Sequence, residues 1–216
     1  MFDARRLRRV YAQLLSYYGP QDWWPADTPF EVMVGAILTQ NTAWSNVEKA
    51  LASLIRENLL EAEVIIAAPQ PRLAACLRPS GYFNIKAKRL QSYCHWYLQS
   101  GGFDALNTRE TADLRRALLS VNGIGPETAD DILLYAFERP VFVIDAYTRR
   151  IFARLEMIAG DESYEELRAM FEEALGPDVT LFNEYHALIV AHAKEACRPR
   201  PLCETCCLSR GCAYTP

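Results

Sequence analysis

The chain of 216 residues is first informative for what it lacks. It has no excess of basic residues: 23 Lys and Arg stand against 27 Asp and Glu, a formal net charge of −4. A chain-wide positive field is therefore excluded. Any polyanion has to be held by local features, with few phosphate contacts and modest salt sensitivity. It has no long apolar run. The longest, near Val32 to Leu38, falls far short of the roughly 20 residues that a bilayer-spanning helix needs. The opening residues, Met1-Phe2-Asp3-Ala4-Arg5-Arg6, carry charge with no apolar segment behind them. No export signal and no membrane partner are expected, and the expected compartment is the cytoplasm. There is no internal repeat or low-complexity segment, and few windows alternate with the period of two that a half-buried strand requires.

What remains is helical. Half of the residues are apolar and 23% are charged, the balance of a globular chain. Residues 44–58 place Val47, Leu51, Leu54 and Asn58 on one side and Glu48, Arg56 and Glu57 elsewhere, an amphipathic helix. Similar patterns cover about 3–17, 28–40, 61–67, 70–77, 84–100, 109–119, 126–138, 145–156, 163–175 and 179–196. Glycine and proline break them, among others at Gly19-Pro20, Pro79, Gly101-Gly102 and Gly176-Pro177. The best strand candidate, Pro140-Val141-Phe142-Val143-Ile144, is too short and isolated for a sheet and reads as a buried connector. The fold class is all-α.

Seven cysteines, an odd number, argue against a disulfide framework. Cys76 and Cys94 lie on helical patterns as small buried hydrophobes. The other five fall in the tail, as Cys197-x5-Cys203-x2-Cys206-x5-Cys212 with Cys207 beside the third. Spacing alone leaves an iron–sulfur cluster, a four-cysteine zinc knot and plain reduced thiols open.

The sharpest local motif is Leu118-Leu119-Ser120-Val121-Asn122-Gly123-Ile124-Gly125-Pro126-Glu127-Thr128-Ala129. One helix ends near Ser120, two glycines bracket an isoleucine that can tuck into a core, and Pro126 opens the next helix, where its missing N–H costs nothing. Free N–H groups at that helix start make an anion site, so a phosphate can be held without a basic side chain. The same segment also reads as an ordinary connector with glycine caps. Downstream, Val143-Ile144-Asp145-Ala146-Tyr147-Thr148-Arg149-Arg150 puts an aspartate after an apolar segment and at a helix start, a good N-cap.

Taken in order, the hairpin and this aspartate segment resemble the helix–hairpin–helix DNA glycosylases of the endonuclease III type. Leu38-Thr39-Gln40-Asn41-Thr42 looks like that family's L-x-x-Q-x-T segment, Gly81-Tyr82-Phe83-Asn84-Ile85-Lys86-Ala87 like its G-x-x-N-x-K-A segment, and the tail like its cluster loop. The resemblance implies two all-α lobes: a helical barrel over 22–138 ending in the hairpin, and a second lobe of 1–21 plus 139–216 carrying a [4Fe–4S] cluster on Cys197, Cys203, Cys206 and Cys212. It implies a monomer acting on duplex DNA with damaged bases, in bacterial terms at the nucleoid. Asp145 takes the position of the catalytic aspartate, Gln40 and Tyr82 the positions that wedge into the gap left by a flipped nucleotide. Gly123, Gly125, Thr128, Lys86 and Arg198 are candidate phosphate contacts.

Two departures bear on the reaction. Family members that also cut the strand carry a lysine two residues after the second hairpin glycine, whose amine forms an imine with the sugar. Here that residue is Glu127, which cannot. Glu127 is a candidate for positioning water, or simply a first-turn acid favoured by the helix dipole. The adenine-mismatch branch has a glutamate just before its Q-x-T segment; here Ala36 takes that place. The loop Gln21-Asp22-Trp23-Trp24-Pro25 ahead of Phe30-Glu31 resembles the alkylated-purine branch, with Trp23, Trp24, Phe30 and Trp44 as candidate walls of a base pocket. The expectation is a monofunctional glycosylase for alkylated purines such as 3-methyladenine. A mismatch thymine or uracil glycosylase, and a non-catalytic DNA-binding or redox-sensing iron–sulfur protein on the same scaffold, stand as alternatives.

Overall fold

Capping side chains fix where five of the helices begin. Asp3, Thr28, Asp145, Ser163 and Asp178 each sit in extended backbone and accept the N–H three residues on, which satisfies a donor that has no partner inside the helix. Ser163 and Glu166 complete a reciprocal capping box, Glu166 accepting the Ser163 N–H at 2.7 Å. Pro29 and Pro126 stand in the first turn of their helices.

The computed structural model describes every residue except Met1, Asp22, Trp24, Pro25, Thr215 and Pro216, and among the described residues it is helical with no strand. The chain divides into two compact units, Ala26–Glu138 and the pair Met1–Pro25 with Arg139–Pro216. Residue 23 therefore belongs with the termini, whereas the sequence reading grouped it with the barrel.

The terminal unit is built from α1 (Ala4–Tyr18). The central unit follows with α2 (Pro29–Leu38), α3 (Trp44–Arg56), α4 (Ala62–Ala67), α5 (Gln70–Leu77), α6 (Phe83–Gln99), α7 (Gly102–Asn107), α8 (Thr111–Leu119) and α9 (Pro126–Asp131), which runs on as a π-helical turn, Ile132–Ala136. The chain then returns to the terminal unit for α10 (Ala146–Arg154), α11 (Tyr164–Leu175), α12 (Val179–Glu195) and the cysteine loop. The sequence pattern missed α7 because Gly101-Gly102 reads as a breaker. Both glycines have positive φ, 89° and 74°, and they turn the chain out of α6 straight into α7.

In the terminal unit, the apolar faces of α1, α10, α11 and α12 meet around an aromatic cluster. Phe142 packs on Phe171 and Phe182 (ring centroids 4.7 and 5.3 Å), and Phe152 on Phe171 edge-on at 4.9 Å. Phe142 belongs to the connector Val141–Ile144, which is buried but makes no sheet. Its backbone donors are met instead from α11, Phe142 N–H by Glu172 at 3.0 Å and Ile144 N–H by the Tyr164 hydroxyl at 3.4 Å. In the central unit, Met33, Ile37 and Leu38 of α2, Leu90 of α6, Leu114 and Leu118 of α8 and Ile132 of the π turn are all fully buried.

Candidate active site

The hairpin between α8 and α9 is braced from below. Arg115 of α8 makes a two-pronged ion pair to the fully buried Asp130 of α9, at 2.6 and 3.0 Å. Ile124 between the glycines is 5% exposed and acts as the plug. Gly123 has φ +90°, and a Cβ there would stand 2.4 Å from Arg89 Cγ, so no side chain fits. Gly125 differs. Its φ of −92° suits any residue, and a Cβ would meet nothing within 4 Å; what its bareness provides is a clear approach to the backbone. The first intrahelical bond of α9 runs from Ala129 N–H to the Gly125 carbonyl at 2.9 Å, so the N–H groups of Glu127 and Thr128 precede the ladder. Gly123→Ala should therefore lower stability by about 1–3 kcal/mol through its backbone alone. Gly125→Ala should leave the thermal midpoint close to that of the unaltered chain while weakening duplex DNA binding, a contrast read by melting and by a binding titration.

Asp145 caps α10. Its Oδ1 accepts from the Thr148 N–H at 2.7 Å and the Thr148 hydroxyl at 2.8 Å, and Thr148 is fully buried. Its Oδ2 faces His186 Nε2 of α12 at 3.6 Å. Burial pushes the carboxyl pKa up, but the nearby His186 imidazole and the two bonds from Thr148 outweigh it, holding Asp145 below the ordinary carboxylate range. A buried aspartate, 9% exposed, is thus kept as an anion. The far end of α10 is staked to the cysteine loop. Arg150 donates to the carbonyls of Cys197 and Ala193 at 2.9 and 3.3 Å; Arg154 donates to Cys197 Sγ at 3.2 Å and to the carbonyls of Arg198 and Pro199 at 2.7 and 3.1 Å.

The cysteine loop winds through two single 3-10 turns, Cys203–Thr205 and Ser209–Gly211. Burial raises the Cys206 thiol pKa, and the neighbouring sulfurs of Cys197, Cys212 and Cys203 raise it further. Cys197, Cys203 and Cys212 therefore all lie within electrostatic reach of Cys206. Cys207 points elsewhere: burial pushes its thiol up to about 11, with Cys206 adding to the effect, and it lines a surface depression with Arg9, Gln13 and Tyr17 of α1. Behind Cys206, His192 Nε2 lies 3.6 Å from its sulfur, while the His192 Nδ1 pairs with the Tyr18 hydroxyl at 3.0 Å. Among the described residues, no three His, Cys, Asp or Glu side chains converge where a single metal ion would sit.

Residues 34–177, spanning hairpin and aspartate together, match the family model of the HhH-GPD superfamily base excision DNA repair proteins. The chain belongs to that superfamily. A protein of Methanocaldococcus jannaschii, provisionally named DNA repair glycosylase MJ1434, is 47% identical over 207 residues, 94% of each chain. Among solved structures, the Helicobacter pylori 3-methyladenine DNA glycosylase MagIII bound to 1,N6-ethenoadenine is 31% identical at a TM-score of 0.76, covering 89% of this chain and 98% of that one. A non-covalent endonuclease III–DNA complex aligns at a TM-score of 0.84 over 99% of this chain and 96% of that one, with 20% identity, a likeness of fold.

Within this HhH-GPD chain the structure corrects two of the expected DNA contacts. Lys86 is 1% exposed, and its ammonium donates to the carbonyls of Leu38 and Ser80 at 2.8 and 2.6 Å and to the Thr42 hydroxyl at 3.2 Å. All three donors are spent, and burial lowers its pKa to about 8. It is a strut inside the central unit, not a phosphate contact. Gln40 is likewise committed. Its amide donates to the Gly123 carbonyl and the Thr128 hydroxyl, both at 3.0 Å, and accepts from Arg89 at 2.5 Å. It braces the hairpin and does not stand free as a wedge. Thr128, 5% exposed, thereby has its hydroxyl bonded to Gln40.

Tyr82 is the opposite case. It is 68% exposed and held at φ +45°, a left-handed conformation that costs a bulky residue about 1–2 kcal/mol. Strain spent on presenting an aromatic ring to solvent points to a use for it. The base-pocket candidates make separate contacts, each within its own unit. Phe30 packs on Tyr97 (5.4 Å) and Trp44 donates to Glu48 along α3 at 3.1 Å, both in the central unit. Trp23, in the terminal unit, has Lys194 5.5 Å from its ring centroid and a buried indole N–H without a hydrogen-bond partner. Trp24 lies outside the described residues. Glu127 is exposed in the first turn of α9, and Arg198 is exposed with its Nε turned back to the Lys194 carbonyl at 2.8 Å. Sequence reading missed His186 altogether; a histidine in the apolar run of α12 looks like core.

Proposed function

We propose that this chain is a monofunctional DNA glycosylase that hydrolyses the N-glycosidic bond of alkylated purines such as 3-methyladenine. The observation that carries the reading is Asp145: a buried carboxylate at a helix start, held ionised by Thr148 and His186. Breaking the bond between C1′ and the base builds positive charge on the deoxyribose, and the base leaves with the bonding electrons. A fixed anion stabilises that charge. Water then adds its oxygen to C1′ and loses a proton to solvent, leaving an abasic sugar. Glu127 stands where strand-cleaving members carry lysine, so no amine is supplied at that position to trap the sugar as an imine. An N3- or N7-alkylated purine is already cationic and leaves as a neutral base, which suits a site with one carboxylate and no dedicated acid.

Binding rests on the hairpin. The N–H groups at the start of α9 and the bare backbone at Gly125 suit a phosphate, and the strained, exposed Tyr82 suits the gap left by an extruded nucleotide. Cys197, Cys203, Cys206 and Cys212 would hold a [4Fe–4S] cluster. Cys206 within electrostatic reach of the other three sulfurs, on one short loop, is what supports this ligand set. When bound, such a cluster joins four points of the loop through iron–sulfur bonds.

One observation favours a second reading. Lys194 already lies over the Trp23 ring, and a cation there opposes stacking of a cationic purine on that face. A neutral base, thymine or uracil mispaired with guanine, avoids the conflict. The two readings part on a base-release panel of methylated DNA and guanine-mispaired thymine and uracil. The proposal expects free 3-methyladenine; release of thymine or uracil alone overturns the substrate assignment.

A further inference from the structure

Resting on the reading of Asp145 as the catalytic carboxylate, we infer that His186 is its positioning residue, fixing the oxygen of Asp145 that Thr148 leaves uncommitted. The two carboxylate oxygens are held from different elements. Oδ1 takes both donors of Thr148, three residues along the same helix. Oδ2 is met by Nε2 of His186, 41 residues away in sequence, across the packed pair α10 and α12. A carboxylate anchored at one oxygen alone still turns about its Cβ–Cγ bond. Anchored from two directions, it keeps one plane and one lone-pair direction, the pre-organisation that a charge-stabilising group requires.

The separation of 3.6 Å is longer than a full hydrogen bond. His186 therefore steers Oδ2 without saturating it and leaves lone-pair capacity for a water or for the developing charge. Contacts of this kind commonly tighten when substrate arrives. The spacing is set by more than the pair itself. Arg150, two residues beyond Thr148, bonds the carbonyls of Ala193 near the end of α12 and of Cys197 just past it, so α10 cannot slide along α12 without breaking those bonds. His186 is 5% exposed, so its ring stays where the helix puts it.

The test compares three variants of the full-length chain, on the base that the unaltered protein releases in the panel. His186→Leu removes the donor, His186→Gln keeps an N–H at similar reach, and Asp145→Asn removes the charge. Single-turnover release and affinity for abasic-site duplex are measured for each, with a thermal melt. The inference expects His186→Leu to slow release about 10- to 100-fold at near-normal DNA affinity, with His186→Gln recovering most of the rate. Full activity in His186→Leu beside a dead Asp145→Asn overturns the inference and leaves the reading of Asp145 standing. Equal impairment of the leucine and glutamine variants, tracking a lowered melting point, also overturns it, since His186 would then be packing alone. Retained activity in Asp145→Asn sinks the underlying reading and the inference with it.

Discussion

Asp145→Asn is expected to lower base excision by about 10²–10³-fold or more, equivalent to about 2.7–4 kcal/mol of transition-state stabilisation, while the chain stays folded. The two effects separate because the residue does two things. As an N-cap its Oδ1 meets the Thr148 N–H and hydroxyl, and asparagine accepts those bonds nearly as well as aspartate. As the proposed catalytic anion it would face the sugar, and asparagine carries no charge. Asp145→Ala, by contrast, removes the cap as well and should cost a further ~1 kcal/mol of stability. The direction of the pKa shift adds a pH signature. A carboxyl group held below its usual range in the folded chain stabilises the fold above its unfolded pKa and loses that contribution only as pH falls through the lower folded value. The acid limb of the excision rate that belongs to Asp145 should therefore lie below the ordinary aspartate pKa of about 3.9. An acid limb near neutrality assigned to this group by Asp145→Asn would contradict it.

The second large effect is expected at the cysteine loop. Cys206→Ser should drop iron from about four per chain to well below one, and Cys207→Ser should keep it. Cys206 lies within reach of the sulfurs of Cys197, Cys203 and Cys212, whereas Cys207 lines the depression along α1. If the loop holds the proposed cluster, activity should follow iron even though no step of the chemistry would pass through it. Arg150 and Arg154 bind the loop at the carbonyls of Cys197, Arg198 and Pro199 and at the Cys197 sulfur, and they belong to the helix that Asp145 starts. A loosened loop lets α10 shift, and a displacement of ~1 Å at a reacting group can cost about 10²-fold in rate. Iron analysis, thermal melting and single-turnover excision on the same preparations check the three statements. A Cys206→Ser chain that keeps both its iron and its rate would show that the ligand set is drawn wrongly.

What the sequence made legible was periodic or punctuated. Eleven amphipathic windows and their breakers gave the all-α class, and the glycine–isoleucine–glycine hairpin and the aspartate at a helix start could be read from capping chemistry. What escaped were side chains whose partners come from distant segments. Lys86, flanked by Lys88 and Arg89, reads as one of a basic surface cluster; only the fold brings the carbonyls of Leu38 and Ser80 to its ammonium. Gln40 has the same history: the two hairpin acceptors of its amide lie more than 80 residues on. His186 was invisible because nothing local distinguishes it from a core histidine until α12 is laid against the N-terminus of α10. The helix α7 was lost to a local rule that is usually sound, since paired glycines more often end a helix than lead into one.

The measurement closest to the central claim is borohydride trapping on duplex DNA that carries the released lesion. With Glu127 in the lysine position and Asp145 as the charge-stabilising anion, free base and intact abasic strands are expected, with no covalent protein–DNA adduct, and Asp145→Asn is expected to slow base release by the same ~10²–10³-fold or more. A reduced adduct between this chain and the sugar, formed at a rate matching base release, would show that an amine is the nucleophile and would contradict the account.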